Sequence, residues 1–262
     1  MERPSAARVY DFYLGGFHNF AADREMGRRA VELWPELPEI MQANRAFMRR
    51  AIRYATSEGI TQFLDIGSGI PTFGNVHEDA QALNSRARVV YADNDPVAVA
   101  HSRAVLRGDD RAGIVSADFR SPQDILHSPE LGRVLDLDRP VALMLVALLH
   151  LIEDKDDPWK AVRELADALA PGSLLVLSHA STDNGPRRDS TALQQVYRSA
   201  SAPLVMRSRR HVQQFFEDFE LLDPGLVSLP LWRPDGPPDQ EDPVVFSGFA
   251  GVGRKTDPGR TG

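Results

Sequence analysis

The 262-residue sequence contains no cysteine, which excludes both a disulfide framework and a thiolate metal site. It also lacks an excess of basic residues, since the formal net charge is -7. Proteins that track phosphate backbones usually present a basic surface, so we expect no nucleic-acid partner. No group of histidine and acidic residues has the spacing of metal ligands, and we expect no bound metal.

Long apolar runs are missing as well. The longest, residues 141–152, is interrupted by His150 and is too short to cross a bilayer of roughly 30 Å as a helix. The first ten residues lack the apolar segment of a signal peptide. The sequence therefore predicts a cytoplasmic protein with no membrane partner. Its length suffices for one large α/β domain, or for a domain with an N-terminal helical extension, and its hydrophobic content of 42% is ordinary for a globular protein.

The most informative segment is residues 62–96, which reads as a strand, a glycine-rich turn, a helix and a second strand. The first strand ends in Asp65-Ile66-Gly67-Ser68-Gly69, and the second ends in Ala92-Asp93-Asn94-Asp95-Pro96. Two glycines separated by one residue allow a sharp turn and a close approach of a ligand to the backbone. Ligands of open α/β sheets bind at the carboxyl ends of the strands, so the segment predicts a nucleoside-cofactor site.

Asp65 and Thr72 discriminate between two classes of cofactor. A dinucleotide turn carries a third glycine three residues after the second, but Thr72 occupies that position. The Asp65 carboxylate would repel a diphosphate, whereas it suits the ammonium group of S-adenosylmethionine, which contains no phosphate. Asp93 is placed to accept hydrogen bonds from ribose hydroxyls, a feature that both classes share. The pattern favours S-adenosylmethionine, and an NAD-dependent oxidoreductase is the alternative enzyme.

Two motifs carry a resemblance to a known family. Asp65-Ile66-Gly67-Ser68-Gly69 resembles motif I of class I S-adenosylmethionine-dependent methyltransferases, and residues 92–96 resemble the acidic motif after their second strand. The chain as a whole resembles more closely a family of S-adenosyl methyltransferases of unassigned substrate. The signatures of that family stand here as Ala7-Arg8-Val9-Tyr10-Asp11-Phe12-Tyr13-Leu14-Gly15-Gly16, Asn19-Phe20-Ala21-Ala22-Asp23-Arg24, Gln62-Phe63-Leu64-Asp65-Ile66-Gly67 and Trp232-Arg233-Pro234.

The resemblance implies a Rossmann-like fold with a mostly parallel seven-stranded sheet, an antiparallel last strand and an N-terminal helical extension. It implies S-adenosylmethionine as the cofactor and S-adenosylhomocysteine as its product. Asp118 would accept a hydrogen bond from the adenine amino group, with Phe119 beside the ring. The resemblance, the glycine turn and the ribose contact together give seven expected cofactor-binding residues: Asp65, Gly67, Gly69, Asp93, Asn94, Asp118 and Phe119. Asp95 precedes Pro96 and is more typical of a helix cap.

From residue 61 onward, alternating strand and helix patterns predict a parallel sheet with right-handed crossovers. The predicted strands are 62–66, 88–92, 113–117, 141–147, 173–178, 227–231 and 244–252, and the helices around them include 5–14, 23–33, 39–56, 75–83, 189–201 and 208–219. We expect three parts: a helical extension or lid at 1–58, the S-adenosylmethionine-binding domain at 59–255 and a flexible tail at 256–262.

Four further residues are candidates for function. Residues 10–24 are richer in polar, aromatic and glycine residues than packing requires, so we expect Tyr10 and Asn19 to lie in a lid over the cofactor. His150 and His179 follow the fourth and fifth predicted strands, where acceptor and methyl group would meet. Imidazole titrates near neutral pH, which makes either histidine a candidate general base, with a structural hydrogen-bonding role as the alternative.

The sequence therefore predicts methyl transfer from S-adenosylmethionine to a small molecule. The Asn/Asp-Pro-Pro-aromatic motif of many amino-group methyltransferases is missing, because the corresponding stretch is Val146-Ala147-Leu148-Leu149-His150. A protein that binds S-adenosylmethionine as a ligand or sensor without turnover is the alternative from another class. Neither the acceptor nor the oligomeric state follows from the sequence.

Overall fold

The structure of the protein is a computed structural model that describes residues 3–71, 74–183, 190–236 and 248–256. Within these ranges one sheet is formed by β1 (Gln62–Ile66), β2 (Arg88–Asp93), β3 (Ala112–Ser116), β4 (Ala142–Val146), β5 (Leu174–Ala180), β6 (Phe219–Leu221), β7 (Val227–Ser228) and β8 (Gly248–Lys255). Thr72, the residues 244–247 of the last predicted strand and the tail from 257 to 262 lie outside the described residues.

Three helices precede the sheet, as expected, and others connect its strands. The helices are α1 (Ala6–Tyr13), α2 (Ala21–Leu33), α3 (Leu37–Ser57), α4 (Val76–Leu83), α5 (Pro96–Val105), α6 (Pro122–Leu126), α7 (Pro129–Val134), α8 (Pro158–Asp167), α9 (Ser190–Tyr197) and α10 (Arg209–Gln213). Among the described helices none combines the length and the apolar character needed to cross a membrane.

The order of the strands reverses its direction between β1 and β4, inside the sheet. The order is β3-β2-β1-β4-β5-β8-β6, with β7 paired to β8. The chain runs outward from β1 to β3 and then crosses back to β4 on the other side of β1, so the direction of winding reverses between β1 and β4. Strand β8 runs antiparallel to β5, β6 and β7. The predicted Rossmann-like sheet with an antiparallel last strand is confirmed, and β6 is an eighth strand beyond the seven predicted.

The predicted secondary structure was wrong for part of residues 214–231. Strand β6 lies at Phe219–Leu221, where the sequence predicted the end of a helix, and the predicted strand 227–231 is β7 followed by a 3-10 turn at Leu229–Leu231. Pro230 has no N–H to donate to a sheet ladder, which explains why the strand stops. Helix α10 gives way at Gln214 to a second 3-10 turn, and the apolar residues spaced as in a longer helix are nevertheless all buried: Val212, Phe215, Phe216 and Phe219.

Apolar side chains cover both faces of the sheet and alternate along each strand. Phe63 and Met144 face one cluster, which includes apolar residues of α1, α2 and α3. Leu64 and Leu143 face the other cluster, which includes residues of α7 and α8. Burial on both faces explains why these strands are almost continuously apolar in sequence. Trp232 belongs to the first cluster and is fully buried, with its ring edge-on to Phe47.

A buried ionic cluster fastens α1 and α2 to the carboxyl edge of the sheet. The Arg8 guanidinium donates through Nε to Asp23 Oδ2 at 2.8 Å and through Nη1 to Asp95 Oδ2 at 3.0 Å. Ser5 donates through its backbone N–H to Asp23 and through its hydroxyl to Asp95. Asp95 also accepts from the Val97 N–H at 2.8 Å and so caps α5, as predicted. The cluster holds α1 above the turn that follows β2.

Removing the cation from this cluster is expected to destabilise the protein strongly. The change Arg8→Ala leaves two buried carboxylates uncompensated, which costs about 3 kcal/mol of the free energy of unfolding. The change Arg29→Ala removes an exposed partner of Glu25 and is expected to cost at most about 0.5 kcal/mol. Urea unfolding of both variants measures the difference, and equal losses would show that the cluster does not hold the N-terminal helices in place.

Candidate active site

A cavity of about 730 Å³ lies where the strand order reverses. Its walls come from the turn after β1, the ends of β2, β3 and β4, and the N-terminal helices α1 and α3. The sequence-predicted residues that line it are Tyr10, Asp65, Gly67, Gly69, Asp93, Asn94, Asp118 and Phe119. The fold thus brings together eight of the nine residues that the sequence analysis assigned to the cofactor. Asn19 is the exception among them.

The glycine turn after β1 needs both of its glycines. Gly67 has φ 72° and Gly69 has φ 67°, in the left-handed region that favours glycine. A Cβ at Gly67 would lie 2.5 Å from Leu148 Cδ1, because the loop after β4 packs directly against the turn. A Cβ added at Gly69 would find its nearest neighbour, Ala7 Cβ, 4.0 Å away, so the backbone there is open to a ligand.

Asp65 is a buried carboxyl group facing this cavity. Burial raises its pKa to about 7, with Arg45 opposing the shift and Asp93 adding to it. Desolvation disfavours the charged form of a carboxyl group, and a cation brought close to it restores that form. The position therefore favours a ligand that presents a positive charge to the end of β1.

Asp93 ties the two turns of the site together. Its Oδ2 accepts a hydrogen bond from the Gly69 N–H at 2.7 Å, and its Oδ1 accepts one from the Asp95 N–H at 2.8 Å. Burial raises its pKa even though these N–H groups favour the ionised form. A carboxylate has about four acceptor positions, so Asp93 can hold the glycine turn and still accept from ligand hydroxyls.

Asp118 has a cationic partner that the sequence analysis missed. Arg120 donates to it through Nε at 3.0 Å and through Nη2 at 2.6 Å, and the Asn94 side-chain amide donates at 2.8 Å. These bonds to Arg120 lower the pKa of Asp118 to about 2. The sequence feature that could have identified this partner is a basic residue two positions after the acid. A ligand amino group at Asp118 would share the carboxylate with Arg120 and Asn94, while Phe119 lies buried beside them.

His150 and His179 line a second, smaller chamber of about 80 Å³ rather than the larger cavity. Five residues line both spaces and form the junction between them: Ala6, Tyr10, Asn44, Ala147 and Leu151. The structure therefore places the two histidines together, with ring centroids 5.5 Å apart. The junction separates them from the cofactor candidates.

Both ring nitrogens of His179 are engaged. Its Nδ1 lies 2.7 Å from the Ala180 carbonyl oxygen and must donate to it, which leaves Nε2 to accept from Arg207 Nη1 at 2.9 Å. Burial, His150 and Arg207 hold its pKa well below the usual value. His179 is consequently a neutral, hydrogen-bonded ring.

His150 is held in a similar state. Its Nδ1 accepts from the Ala180 N–H at 3.2 Å, so the proton of the neutral ring lies on Nε2. Burial and the neighbouring Arg207 lower its pKa to about 4. The general-base role stays a prediction for either histidine, and these contacts favour the hydrogen-bonding alternative.

Arg207 adds to the effect of burial on the pKa of both histidines and was also missed. In sequence it belongs to the basic run 207–210, which reads as a solvated helix start. In the structure it is buried, donates to the carbonyl oxygens of Leu149 and Ile152 at 2.7 Å each, and pairs with Asp154 at 2.6 Å. A guanidinium at this place disfavours the protonation of both neighbouring imidazoles.

The junction between the two spaces is a continuous chain of hydrogen bonds. The Ala147 N–H donates to Ser178 Oγ at 2.9 Å, and that hydroxyl donates to Asn44 Oδ1 at 2.6 Å. Asn44 Nδ2 in turn donates to the Tyr10 hydroxyl at 2.9 Å. Asn44 is a buried amide within the apolar stripe of α3, and that interruption is the sequence signal that could have identified it.

Asn19 shapes the connection between α1 and α2. Its amide donates to Asp11 Oδ2 at 2.8 Å and to the Gly16 carbonyl oxygen at 2.9 Å. The Arg24 side chain donates back to the Asn19 carbonyl at 2.8 Å. Any effect of Asn19 on a ligand in the cavity is therefore transmitted through the position of Asp11, which does line it.

Comparisons with known proteins agree with this arrangement. A family model described as S-adenosyl methyltransferase matches residues 1–256. A crystal structure from Thermobifida fusca, classed as a methyltransferase, shares 40% identity and a TM-score of 0.89, covering 98% of this chain and 97% of that one. A DUF574 family protein from Streptomyces avermitilis shares 39% identity and a TM-score of 0.92, covering 97% and 98% respectively. The pyocyanin biosynthetic protein PhzM, at 17% identity, a TM-score of 0.50 and coverage of 84% and 57%, shares the fold alone. No curated protein gives a significant match.

The contact between the glycine turn and the loop after β4 can be tested by adding a Cβ. In both Gly67→Ala and Gly59→Ala the left-handed φ costs roughly 1–2 kcal/mol. Gly59 has φ 84° and nothing within 4 Å of the added atom, whereas Gly67 meets Leu148. We expect Gly67→Ala to be less stable than Gly59→Ala by about a further 1–3 kcal/mol, as for overpacked cores, measured by urea unfolding. Equal stability would show that the turn and the loop do not pack as described.

Proposed function

Because the chain belongs to the S-adenosyl methyltransferase family, and its methyl donor is S-adenosylmethionine, we propose that it methylates a small-molecule acceptor. The observation that carries the proposal is the cover over the carboxyl edge of the sheet. Helices α1 and α3 line the cavity on the side away from the strands, and Arg8 fastens α1 to Asp95. A small molecule fits into a cavity bounded in this way, whereas a folded macromolecule would have to displace the helices.

The residues present fit this donor. Asp65 would hold its ammonium group, since a buried carboxyl with a raised pKa gains from a nearby cation. Asp93 and Asn94 would contact the ribose, and Asp118 with Phe119 would lie at the adenine. Gly67 and Gly69 would admit the donor close to the backbone, and the open space above Gly69 supports this.

When bound, S-adenosylmethionine supplies an electrophilic methyl group: a lone pair of the acceptor bonds to the methyl carbon while the sulfur–carbon bond breaks and its electrons stay on sulfur. The chain contributes alignment and exclusion of water. Tyr10 and Asn44 stand at the junction and are fixed by their hydrogen-bond chain, so they would orient the acceptor. His150 or His179 as general base belongs to the same proposal, and a glutamine variant that loses turnover while it still binds the donor would support it.

We further propose that residues 1–58 act as a lid, that residues 59–255 form the methyltransferase domain, and that the reaction takes place in the cytoplasm. The lid is supported by Tyr10, which lines both the cavity and the chamber. Alanine at Tyr10 and at Asn19 tests it. We expect both changes to weaken donor binding and turnover, Tyr10→Ala directly and Asn19→Ala through Asp11. Unchanged affinity and turnover in both variants would remove the lid from the proposal.

Calorimetry and a turnover assay test the function itself. We expect heat of binding with S-adenosylhomocysteine and none with NAD. In the presence of S-adenosylmethionine and a panel of small metabolites, at least one acceptor should release S-adenosylhomocysteine. Binding of the product with no turnover across the panel would favour the ligand-sensor alternative, and binding of NAD alone would overturn the proposal.

Asp65 should make donor binding depend on pH. A carboxyl with a pKa of about 7 is partly protonated below neutrality, and an ammonium ligand must expel that proton. The affinity for S-adenosylhomocysteine is therefore expected to rise from about pH 5.5 to about pH 8 and then to level off. Asp65→Asn should weaken binding about tenfold or more and abolish this rise.

The matched control is Asp124→Asn, an exposed acid on α6 that lies away from the cavity. Its affinity and pH profile should equal those of the unmodified protein. A rising profile that persists in Asp65→Asn would assign the proton to another group and remove Asp65 from the ammonium site.

A further inference from the structure

The smaller chamber beyond the junction is lined almost entirely by apolar and aromatic side chains. It lies between α1, α3 and α9 and the end of β5, and its aromatic lining comes from Tyr10, Tyr13, Trp34 and Tyr197. Its volume is about 80 Å³, against about 150 Å³ for an engineered cavity that binds benzene. The chamber therefore accommodates part of one ring, while the rest of such a molecule would reach the junction with the donor cavity.

No aspartate, glutamate, lysine or arginine is present among the described residues that line the chamber. The two histidines there are neutral, since burial and Arg207 lower the pKa of both. A charged group entering this space would lose its hydration without gaining a partner of opposite charge, which is costly. The lining selects against charged ligands.

The aromatic residues of the chamber present apolar surface rather than free donors. The Tyr13 and Tyr197 hydroxyls, 3.1 Å apart, bond to each other. The Trp34 indole N–H has no hydrogen-bond partner in the described structure, but its nitrogen is fully buried and does not face the open space. Trp34 therefore offers the chamber the apolar part of its ring.

The junction gives the chamber its access to the donor. Ala147 has φ 57°, a left-handed conformation that is strained for a residue with a Cβ, and it stands between the two spaces. Its N–H is held by Ser178, and the chain of bonds continues to Asn44 and Tyr10. Strained backbone held by its surroundings is concentrated at functional sites.

From these observations we infer that the chamber is the acceptor site of the enzyme, and that it takes an uncharged molecule of at most one ring. This inference rests on the proposed function. The ring enters between Trp34, Tyr13 and Tyr197, and the atom to be methylated stays at the junction beside Tyr10 and Asn44.

Binding of simple probes to the protein saturated with S-adenosylhomocysteine tests the inference. Phenol, toluene and benzoate are titrated and followed by saturation-transfer NMR. We expect phenol to bind at least about tenfold more tightly than benzoate, because the chamber offers the carboxylate no partner. Binding of benzoate as tight as that of phenol, or no binding of phenol, would overturn the inference.

Two tryptophans of this chain allow a matched comparison. Trp34→Phe shortens an aromatic wall of the chamber, and we expect it to weaken the binding of both phenol and toluene about twofold or more because each probe loses apolar contact. Trp232→Phe makes the same change in a buried indole that lies away from the chamber, so both probes should bind as before. Equal effects of the two substitutions on phenol would exclude the Trp34 contact.

A filling variant covers the case in which Trp34→Phe does not fold. Leu204→Trp places a larger ring at a chamber wall, and Leu83→Trp places the same ring on the exposed side of α4. We expect the first to abolish phenol binding and the second to leave it intact, with S-adenosylhomocysteine bound by both. Failure to bind S-adenosylhomocysteine in the unmodified protein would instead contradict the proposed function, so the two failures are distinguishable.

Discussion

The burial of two carboxyl groups side by side at the reversal of strand order is the constraint on which the site depends. Asp65 and Asp93 end neighbouring strands, and burial raises the pKa of both. Asp93 is stabilised by the N–H groups of Gly69 and Asp95, whereas Asp65 titrates near neutrality. The N-terminal helices contribute to this state, since covering the edge removes water and strengthens the attraction of Asp65 for a cation. In the proposed lid, closure and donor binding are therefore expected to reinforce each other.

A single carboxylate connects the cover to the cofactor turn. Asp95 uses Oδ1 to cap α5 and Oδ2 to accept from Arg8 and Ser5, while its own N–H is held by Asp93. The start of α5, Asp93 and helix α1 thus share one group. A change that loosens α1 would free Oδ2 and alter the backbone position next to Asp93. This coupling explains why a segment so far in sequence from motif I carries signatures of the same family.

Features that depend on residues close together in the sequence could be predicted. The turn at Gly67 and Gly69, the acids at strand ends and the Asp95 cap all follow from neighbouring residues. Contacts between distant residues could not be derived in this way: Arg8 meets Asp95 across 87 positions, and Ser178 meets Asn44 across 134. Periodicity also failed before β8, because a 3-10 turn and a short strand bury the same apolar stripe as a longer helix would. Arg207 was misread because a basic run gives no sign of which member is buried.

The separation of a charged cavity from an uncharged chamber bears on how methyl transfer is promoted. Only interactions that are stronger in the transition state than in the ground state accelerate a reaction. In the proposed arrangement the carboxylates bind the ammonium and the ribose of the donor. The sulfonium then faces a chamber whose described lining has no formal charge. As the methyl group moves, the positive charge spreads from sulfur toward the acceptor, and a weakly polar chamber disfavours the localised charge more than the dispersed one. Neutral histidines serve this arrangement better than charged ones would, and burial, with Arg207 beside the two rings, keeps them in that state.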